Sequence, residues 1–198
     1  MRKLIVSEWM TLDGVFDGDT MKDWFMPFDS VDRRKYIIKT MDACDAILFG
    51  RKTYEMLAPY WSPLKNNEDG LADKINSVQK FVVSSTLKNA DWNNTTIIKN
   101  NAMEEVAKLK RLPGGEIHIE GSATLVQSLM DANLIDEYRF LIHPIIIGNG
   151  KRFFKDGMNT GGLKIIRTEA LDKGVVLHCY EPEKKLAKKV SELAQSSL

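Results

Sequence analysis

The sequence predicts a single α/β domain on a mixed, mostly parallel sheet, with an antiparallel hairpin at its C-terminal end. Three observations carry this. Short apolar runs bounded by Gly, Asp, Asn or Pro recur along the 198-residue chain, and stretches of helical spacing separate them. Strands that alternate with helices build parallel sheets, because each crossover needs a helix to return the chain. The last two apolar runs have only Asp172-Lys173-Gly174 between them, so they close as a hairpin and add an antiparallel edge.

The elements follow in order. "KLIVSEW" (3–9) is the first strand, and "MTLDGVFDGD" (10–19) a loop with Asp-Gly and Gly-Asp turns. "DSVDRRKYIIKTMDAC" (29–44) spaces Val31, Ile37, Ile38 and Met41 along a helix with Asp or Ser as its N-cap. "DAILFG" (45–50) is a buried strand, and "RKTYEMLAPYW" (51–61) a helix that Pro59 should break. After a polar loop come a short helix (71–78), the strand "KFVVSST" (80–86) and the short strand "TTIIK" (95–99). "NAMEEVAKLKRL" (101–112) is a helix, "EIHIEGS" (116–122) a strand, and "ATLVQSLMDANL" (123–134) a helix. "DEYRFLIHPIIIG" (136–148) reads as one long strand before the hairpin of 163–171 and 174–182. The domain therefore spans 1–182. The tail 183–198 places Leu186, Val190, Leu193 and Ala194 on one helical face, which would dock on the domain, dock on a partner subunit, or fray.

The bulk numbers narrow the function. Hydrophobic residues make up 43% of the chain, charged residues 28%, and the net charge is +1. A near-neutral balance argues against nucleic acid or a membrane surface as partner. No apolar run reaches the length of a signal peptide or of a membrane span. The two cysteines, Cys44 and Cys179, form no metal spacing and suit a reducing cytoplasm.

Three strand-to-helix corners share a character: Gly50-Arg51-Lys52-Thr53, Ser84-Ser85-Thr86 and Gly121-Ser122-Ala123-Thr124. In an open α/β sheet, ligands bind where the carboxyl ends of parallel strands meet helix N-termini. Free N–H groups and the helix dipole favour phosphate there. Arg51 and Lys52 would add charge, and Thr53, Ser84, Ser85 and Thr124 hydroxyl donors. Each corner alone is also an ordinary helix cap. Neither a GxGxxG fingerprint nor a GxxxxGK(S/T) loop is present. "LDG" (12–14) is a turn or a moving active-site loop, and "GNGK" (148–151) a bend or a phosphate loop. His118, His143 and His178 lie in strand-like runs without ligand spacing and read as structural.

Taken together, "SEWMTLDGVF", "ILFGRKTYE", "KFVVSST" and "IHIEGSATLVQSLMDANLIDEYRFLIHPIIIGNGKRFF" resemble the dihydrofolate reductase superfamily. Within it they are most similar to the branch that holds the reductase domain of riboflavin biosynthesis proteins (RibD C-terminal domain-like), over roughly Lys3 to Glu181. The resemblance implies a mixed sheet of about eight strands flanked by helices, and NADPH as cofactor. By position, Gly50, Arg51, Lys52 and Thr53 would sit against the 2′-phosphate and pyrophosphate, Val83, Ser84 and Ser85 on the adenosine side, and Gly121, Ser122, Ala123, Thr124 and Leu125 around the pyrophosphate. The backbone of Trp9 and Phe16 would meet the nicotinamide amide. The family's Gly-Gly before the pyrophosphate helix reads Glu120-Gly121, which implies a cis peptide there.

The expected activity is hydride transfer from NADPH to an imine or carbonyl of a small substrate, with pterin- and pyrimidine-like heteroaromatics as one class. Trp24, Phe25 and Phe28 could wall a flat substrate, with Asp32 beside them. The acid that assists folate reduction falls near Arg34, and Asp13, Asp29 and Asp32 are out of its register as proton sources. Three alternatives stand beside this reading: a non-catalytic nucleotide-binding module on the same fold, the riboflavin-pathway pyrimidine reductase, and a true dihydrofolate reductase. The resemblance also implies a homodimer.

Overall fold

The computed structural model describes residues 1–154, 156 and 161–183. The helical tail expected over 183–198 lies, beyond Glu183, outside the described residues. In chain order the elements are β1 (Leu4–Thr11), a one-turn α1 (Met21–Trp24), α2 (Val31–Ala43), β2 (Cys44–Gly50), α3 (Arg51–Trp61), α4 (Ala72–Ser77), β3 (Gln79–Val83), β4 (Thr95–Ile98), α5 (Ala102–Arg111), β5 (Glu116–Ile119), α6 (Ala123–Asp131), β6 (Glu137–His143), β7 (Gly162–Ala170) and β8 (Val176–Glu183).

The strands form one eight-stranded sheet in the order β4-β3-β2-β5-β1-β6-β8-β7. β1 to β6 are mutually parallel where they pair, and β8 runs antiparallel to both of its neighbours. The expected mixed sheet with a C-terminal hairpin is the one observed. Both faces are covered, which is why β2 is apolar on both sides. Leu4, Val6, Leu48, Ile117 and Ile119 pack with Val106 of α5 and with Val126 and Leu129 of α6. On the other face Ile47, Phe49 and Val82 meet Met41 of α2, Tyr54 of α3, Ile75 of α4 and Trp92. A third apolar group joins Leu141, Leu177 and Val175 to Trp9, Phe28, Tyr36 and Ile37. β7 is the exposed edge.

Several boundaries differ from expectation, among them β5, which ends at Ile119 and not at residue 122, and three have a plain local cause. Pro59 does not break α3, which runs on to Trp61. Proline removes one N–H bond near the helix end, and the Ser62 amide closes the turn on Ala58 at 3.0 Å. β6 stops at His143 and not at residue 148, because Pro144 cannot donate and pairing with β1 ends at Thr11–His143. β3 stops at Val83, where the Ser84 hydroxyl accepts the amides of Thr86 at 3.2 Å and Leu87 at 2.9 Å and turns the chain.

Candidate functional site

β3, β2 and β5 are adjacent and parallel, so their carboxyl ends stand side by side. The three turns that follow them therefore leave from neighbouring strand ends, but only two open helices: after Ser84-Ser85-Thr86 the chain runs on to β4 without one, because the Ser84 hydroxyl turns it back. The closest approach is between the second and third. The Gly50 amide donates to the Gly121 carbonyl at 2.9 Å. A Cβ on Gly50 would lie 2.4 Å from Ser122 Oγ, and one on Gly121 would lie 2.6 Å from Thr53 Oγ1 and 3.4 Å from Phe16 Cζ. Gly121 also holds φ at +77°, a region that side chains disfavour. These contacts bring Phe16, Gly50, Thr53, Gly121 and Ser122 together.

The cis peptide falls one residue later than expected. It is Gly121–Ser122, and Glu120–Gly121 is not cis. Glu120 continues the alternation of β5, so its side chain shares a face with His118, and the turn begins only at Gly121.

Gly50 caps α3 and Ser122 caps α6, both in extended conformation and neither through a side-chain hydrogen bond. The first-turn amides of both helices are thus left without a capping side chain, in an arrangement suited to an anion. Thr124, Ser85 and Lys52 lie at the surface, and Ser122 and Arg51 are half-buried. Leu125, Val83 and Ala123 pack into the core. The Arg51 guanidinium is held by Glu55, at 3.0 and 2.9 Å to its two oxygens.

Glu8, which the sequence reading passed over, anchors the third corner from beneath. Its buried carboxyl accepts the Gly121 amide at 2.5 Å. Burial, reinforced by the neighbouring Glu120 charge, raises its pKa well above the ordinary range, against the pull of the Gly121 bond.

The loop after β1 is fastened to the segment after β6. Asp13 accepts the amides of Ile147 at 3.3 Å and Gly148 at 2.9 Å, and the Phe16 amide donates to Lys151 at 2.7 Å. "LDG" and "GNGK" are thus two halves of one strapped loop pair, with Gly14 at φ +78° making the turn.

On the α2 face a cleft opens between α2 and the ends of β1 and β5. Ser7, Trp9, Tyr36, Ile37, Thr40, Met41, His118 and Glu120 line it. Glu120 immediately precedes Gly121, so cleft and corner share the end of β5. Burial pushes the Glu120 carboxyl up to about 7. Trp9 stacks on Phe25 with ring centroids 4.5 Å apart.

The three residues expected at the substrate, Trp24, Phe28 and Asp32, do not line this cleft. Trp24 is 2% exposed and donates through Nε1 to Asp17 at 3.3 Å, so it is core and lines no part of this cleft. Asp32 organises the start of α2, accepting from Ser30 Oγ at 2.6 Å and from the Asp172 amide at 2.7 Å. Phe28 packs against His143, centroids 5.7 Å apart. The other acids are also engaged, Asp29 with Arg33 and Arg34 and Asp13 with the strapped loop. His143 is structural as expected: it meets Met10 O at 3.2 Å and Arg33 at 3.3 Å, and burial pulls its pKa down to about 4. His118 differs, because it lines the cleft. Among the described residues no group of three or more His, Cys, Asp or Glu could hold a metal, and no helix is long and apolar enough to cross a membrane.

A parallel sheet with one reversed strand near its edge, helices on both faces, and a strand-end corner beside a cleft define the dihydrofolate reductase-like class of α/β proteins. The family model of the RibD C-terminal domain matches residues 2–177, and the chain belongs to that family. It is 33% identical to the uncharacterized protein YyaP of Bacillus subtilis, over 90% of this chain and 94% of that one. It is 26% identical to the uncharacterized YwjB of the same organism, over 89% and 97%. In structure it is similar to a putative riboflavin biosynthesis protein from Shewanella (TM-score 0.73, 20% identity, 92% of this chain and 99% of that one). A Thermotoga maritima diaminohydroxyphosphoribosylaminopyrimidine deaminase/5-amino-6-(5-phosphoribosylamino)uracil reductase has the same fold (TM-score 0.65, 15% identity), with 92% of this chain matching 57% of that one. So does a dihydrofolate reductase from Enterococcus faecalis, solved with NADP(H) (TM-score 0.62, 14% identity, 92% and 97%).

Proposed function

We propose that this protein is an NADPH-dependent reductase that acts on an imine or carbonyl of a small, heteroaromatic substrate. The observation that carries this reading is the junction at Glu120–Gly121. There a phosphate-type corner, with two helix N-termini lacking side-chain caps, adjoins a half-apolar cleft whose wall includes a carboxyl. The glycine contacts support the reading because they pack the start of α3 against the start of α6, which would bring the uncapped amides of both helices to one anion. Gly50 to Thr53 and Gly121 to Thr124 would hold the pyrophosphate, and Arg51, released from Glu55, the 2′-phosphate. Ser84 and Ser85 would hold the adenosine side, and Trp9 and Phe16 would border the nicotinamide.

When bound, NADPH supplies a hydride. The chain's own residues orient the acceptor in the cleft and provide the matching proton. Reduction of C=N or C=O takes one hydride and one proton, leaving CH–NH or CH–OH and NADP+. Glu120 is the group to hold that proton. It lies on the cleft wall, and its carboxyl is substantially protonated at neutral pH. No acid of α2 lines the cleft, where Tyr36, Ile37, Thr40 and Met41 stand, so the acid of folate reduction has no counterpart there.

The same reading takes the protein as a cytoplasmic homodimer. Its two buried cysteines are free thiols, and the exposed apolar residues of β7 suit a second copy. The test is a titration with NADPH and NADH followed by tryptophan quenching, since Trp9 borders the proposed nicotinamide. Saturable quenching that prefers NADPH and weakens in Arg51→Ala supports the reading. Binding of neither nucleotide overturns it.

A further inference from the structure

A carboxyl group stands beneath the corner at Gly121. Glu8 lies on β1 between Val6 and Met10 in the strand alternation, so its side chain takes the α6 face that those residues share. It is 4% exposed, and its Oε1 accepts the Gly121 amide at 2.5 Å. Phe140 of β6 is its partner across the sheet. The elements packed on this face present apolar side chains: Leu125, Val126 and Leu129 of α6, Ile119 of β5, and Phe153. The one acid of α6, Asp131, is at its far end from Gly121. Tyr138 of β6 keeps a neutral hydroxyl, pushed up to about 12 by burial. Of the charged groups around Glu8, Glu120 at the end of β5 is the one that acts on it. Among the described residues no lysine, arginine or histidine forms an ion pair with Glu8.

Such a carboxyl is held neutral. Ionisation would strand a charge among apolar side chains, with one amide to solvate it and a second carboxyl close by. A neutral acid suits this place. It fixes the Gly121 amide, and with it the entry to α6, without setting a negative charge under the uncapped starts of α3 and α6. A carboxylate in the same position would repel any anion seated there, through a medium poor in water.

We propose that Glu8 is the positioning residue of this corner, and that an anion seated on the Gly50 and Gly121 corners binds well only while the Glu8 carboxyl keeps its proton. Binding is then linked to protons: it weakens as the carboxyl ionises, and a bound anion holds the proton on. That the anion is a dinucleotide rests on the reductase reading, whereas the proton linkage is a property of the corner and holds for any phosphate.

Calorimetric titration of the full chain with NADPH and, separately, with inorganic pyrophosphate between pH 6.5 and 9 tests it. Wild-type affinity for each should fall about fivefold or more across that range. Glu8→Gln keeps an acceptor for the Gly121 amide and cannot ionise. It should bind within about threefold of the wild type at pH 6.5 and lose most of the fall, and the comparison cancels the ionisation of the ligand and of Glu120. Glu8→Ala keeps neither acceptor nor proton and should weaken both ligands about tenfold or more at every pH. Where Glu8→Ala does not fold, Glu8→Gln decides alone. The same pH dependence in wild type and Glu8→Gln overturns the proposal, as does undiminished affinity in Glu8→Ala or binding of neither ligand. NADPH binding without the contrast between wild type and Glu8→Gln leaves the reductase reading standing and sinks this one. Pyrophosphate binding with that contrast, in a protein that ignores NADPH, does the reverse.

Discussion

Gly121 is gripped from two sides: its amide donates to Glu8 Oε1 at 2.5 Å while its carbonyl accepts the Gly50 amide at 2.9 Å. One residue thereby couples β1, β2 and β5 where the third corner and the cleft meet. The corner has no slack for a side chain, and its geometry should be sensitive to single methyl groups.

Gly50→Ala places a Cβ 2.4 Å from Ser122 Oγ and 3.0 Å from Ser122 N. Backbone must move, at a cost of about 1–3 kcal/mol. We expect a lower urea midpoint and NADPH affinity weaker by about tenfold or more. A variant that binds NADPH as the wild type does would show that the corner plays no part in the cofactor site.

Glu120→Gln keeps the shape and removes the transferable proton. Turnover should fall by about 100-fold, with little change in NADPH affinity. The wild type should lose activity as pH rises through about 7, because the neutral carboxyl is the active form. The variant should lose this limb of the profile. Stability moves the same way: the folded-state pKa is raised from 4.5 to about 7, so this group's stabilisation is full below 4.5 and lost as pH climbs through 7. A wild-type pH profile flat between 6 and 8 would exclude Glu120 as donor.

Lys80 is fully buried, donates to Val78 O at 2.7 Å and Asn76 O at 3.1 Å, and sits 5.0 Å over the Trp92 ring. No carboxylate pairs with it among the described residues, and burial lowers its pKa from 10.5 to about 8. The folded state therefore binds the proton less well than the unfolded state. Relative to Lys80→Met, the wild type should gain stability between pH 8 and 10.5 and show no such gain below 8. Urea midpoints of both proteins at pH 7 and pH 9.5 check the sign.

β7 exposes Leu163, Ile165 and Ile166 on the outermost strand. A long apolar edge is a template for pairing with another chain. We propose that it is the dimer contact, and light scattering after gel filtration should return twice the monomer mass. Ile165→Lys should shift the protein to monomer. A wild-type monomer at micromolar concentration would remove this edge as an interface.

How much was legible differs by element. The alternation of strands and helices was readable because apolar periods of two and of 3.6 residues are properties of local sequence. "AILFG" followed by "RKTYE" announces a strand end and a helix start in any context. The corners at Gly50 and Gly121 were also readable, since small residues and hydroxyls mark helix starts, whereas the same signal at Ser84-Ser85-Thr86 marked only a turn. Their adjacency followed only from the strand order β3-β2-β5.

The cleft was not legible. His118 and Glu120 are two apart and share a face of β5, but sequence does not say which face α2 covers. Trp24 looked like a substrate wall because it lies in an aromatic loop, and the turn of 17–20 folded it inward. The acids singled out early sit in loops and helix starts, where amides and arginines claim them. Glu120 drew no notice as an acid, because its shifted pKa comes from burial, which is a property of packing and not of spacing.

By itself, then, the sequence determined the α/β class, the order of the strands and longer helices, and the two strand-to-helix corners at Gly50 and Gly121, all of which rest on local periodicity and backbone preference. Only the tertiary structure decided the cis bond at Gly121–Ser122, the Glu8–Gly121 anchor and the placing of His118 and Glu120 on one cleft wall. Those features arise between residues as far apart as Glu8 and Gly121, and burial and close approach exist only once such segments have met.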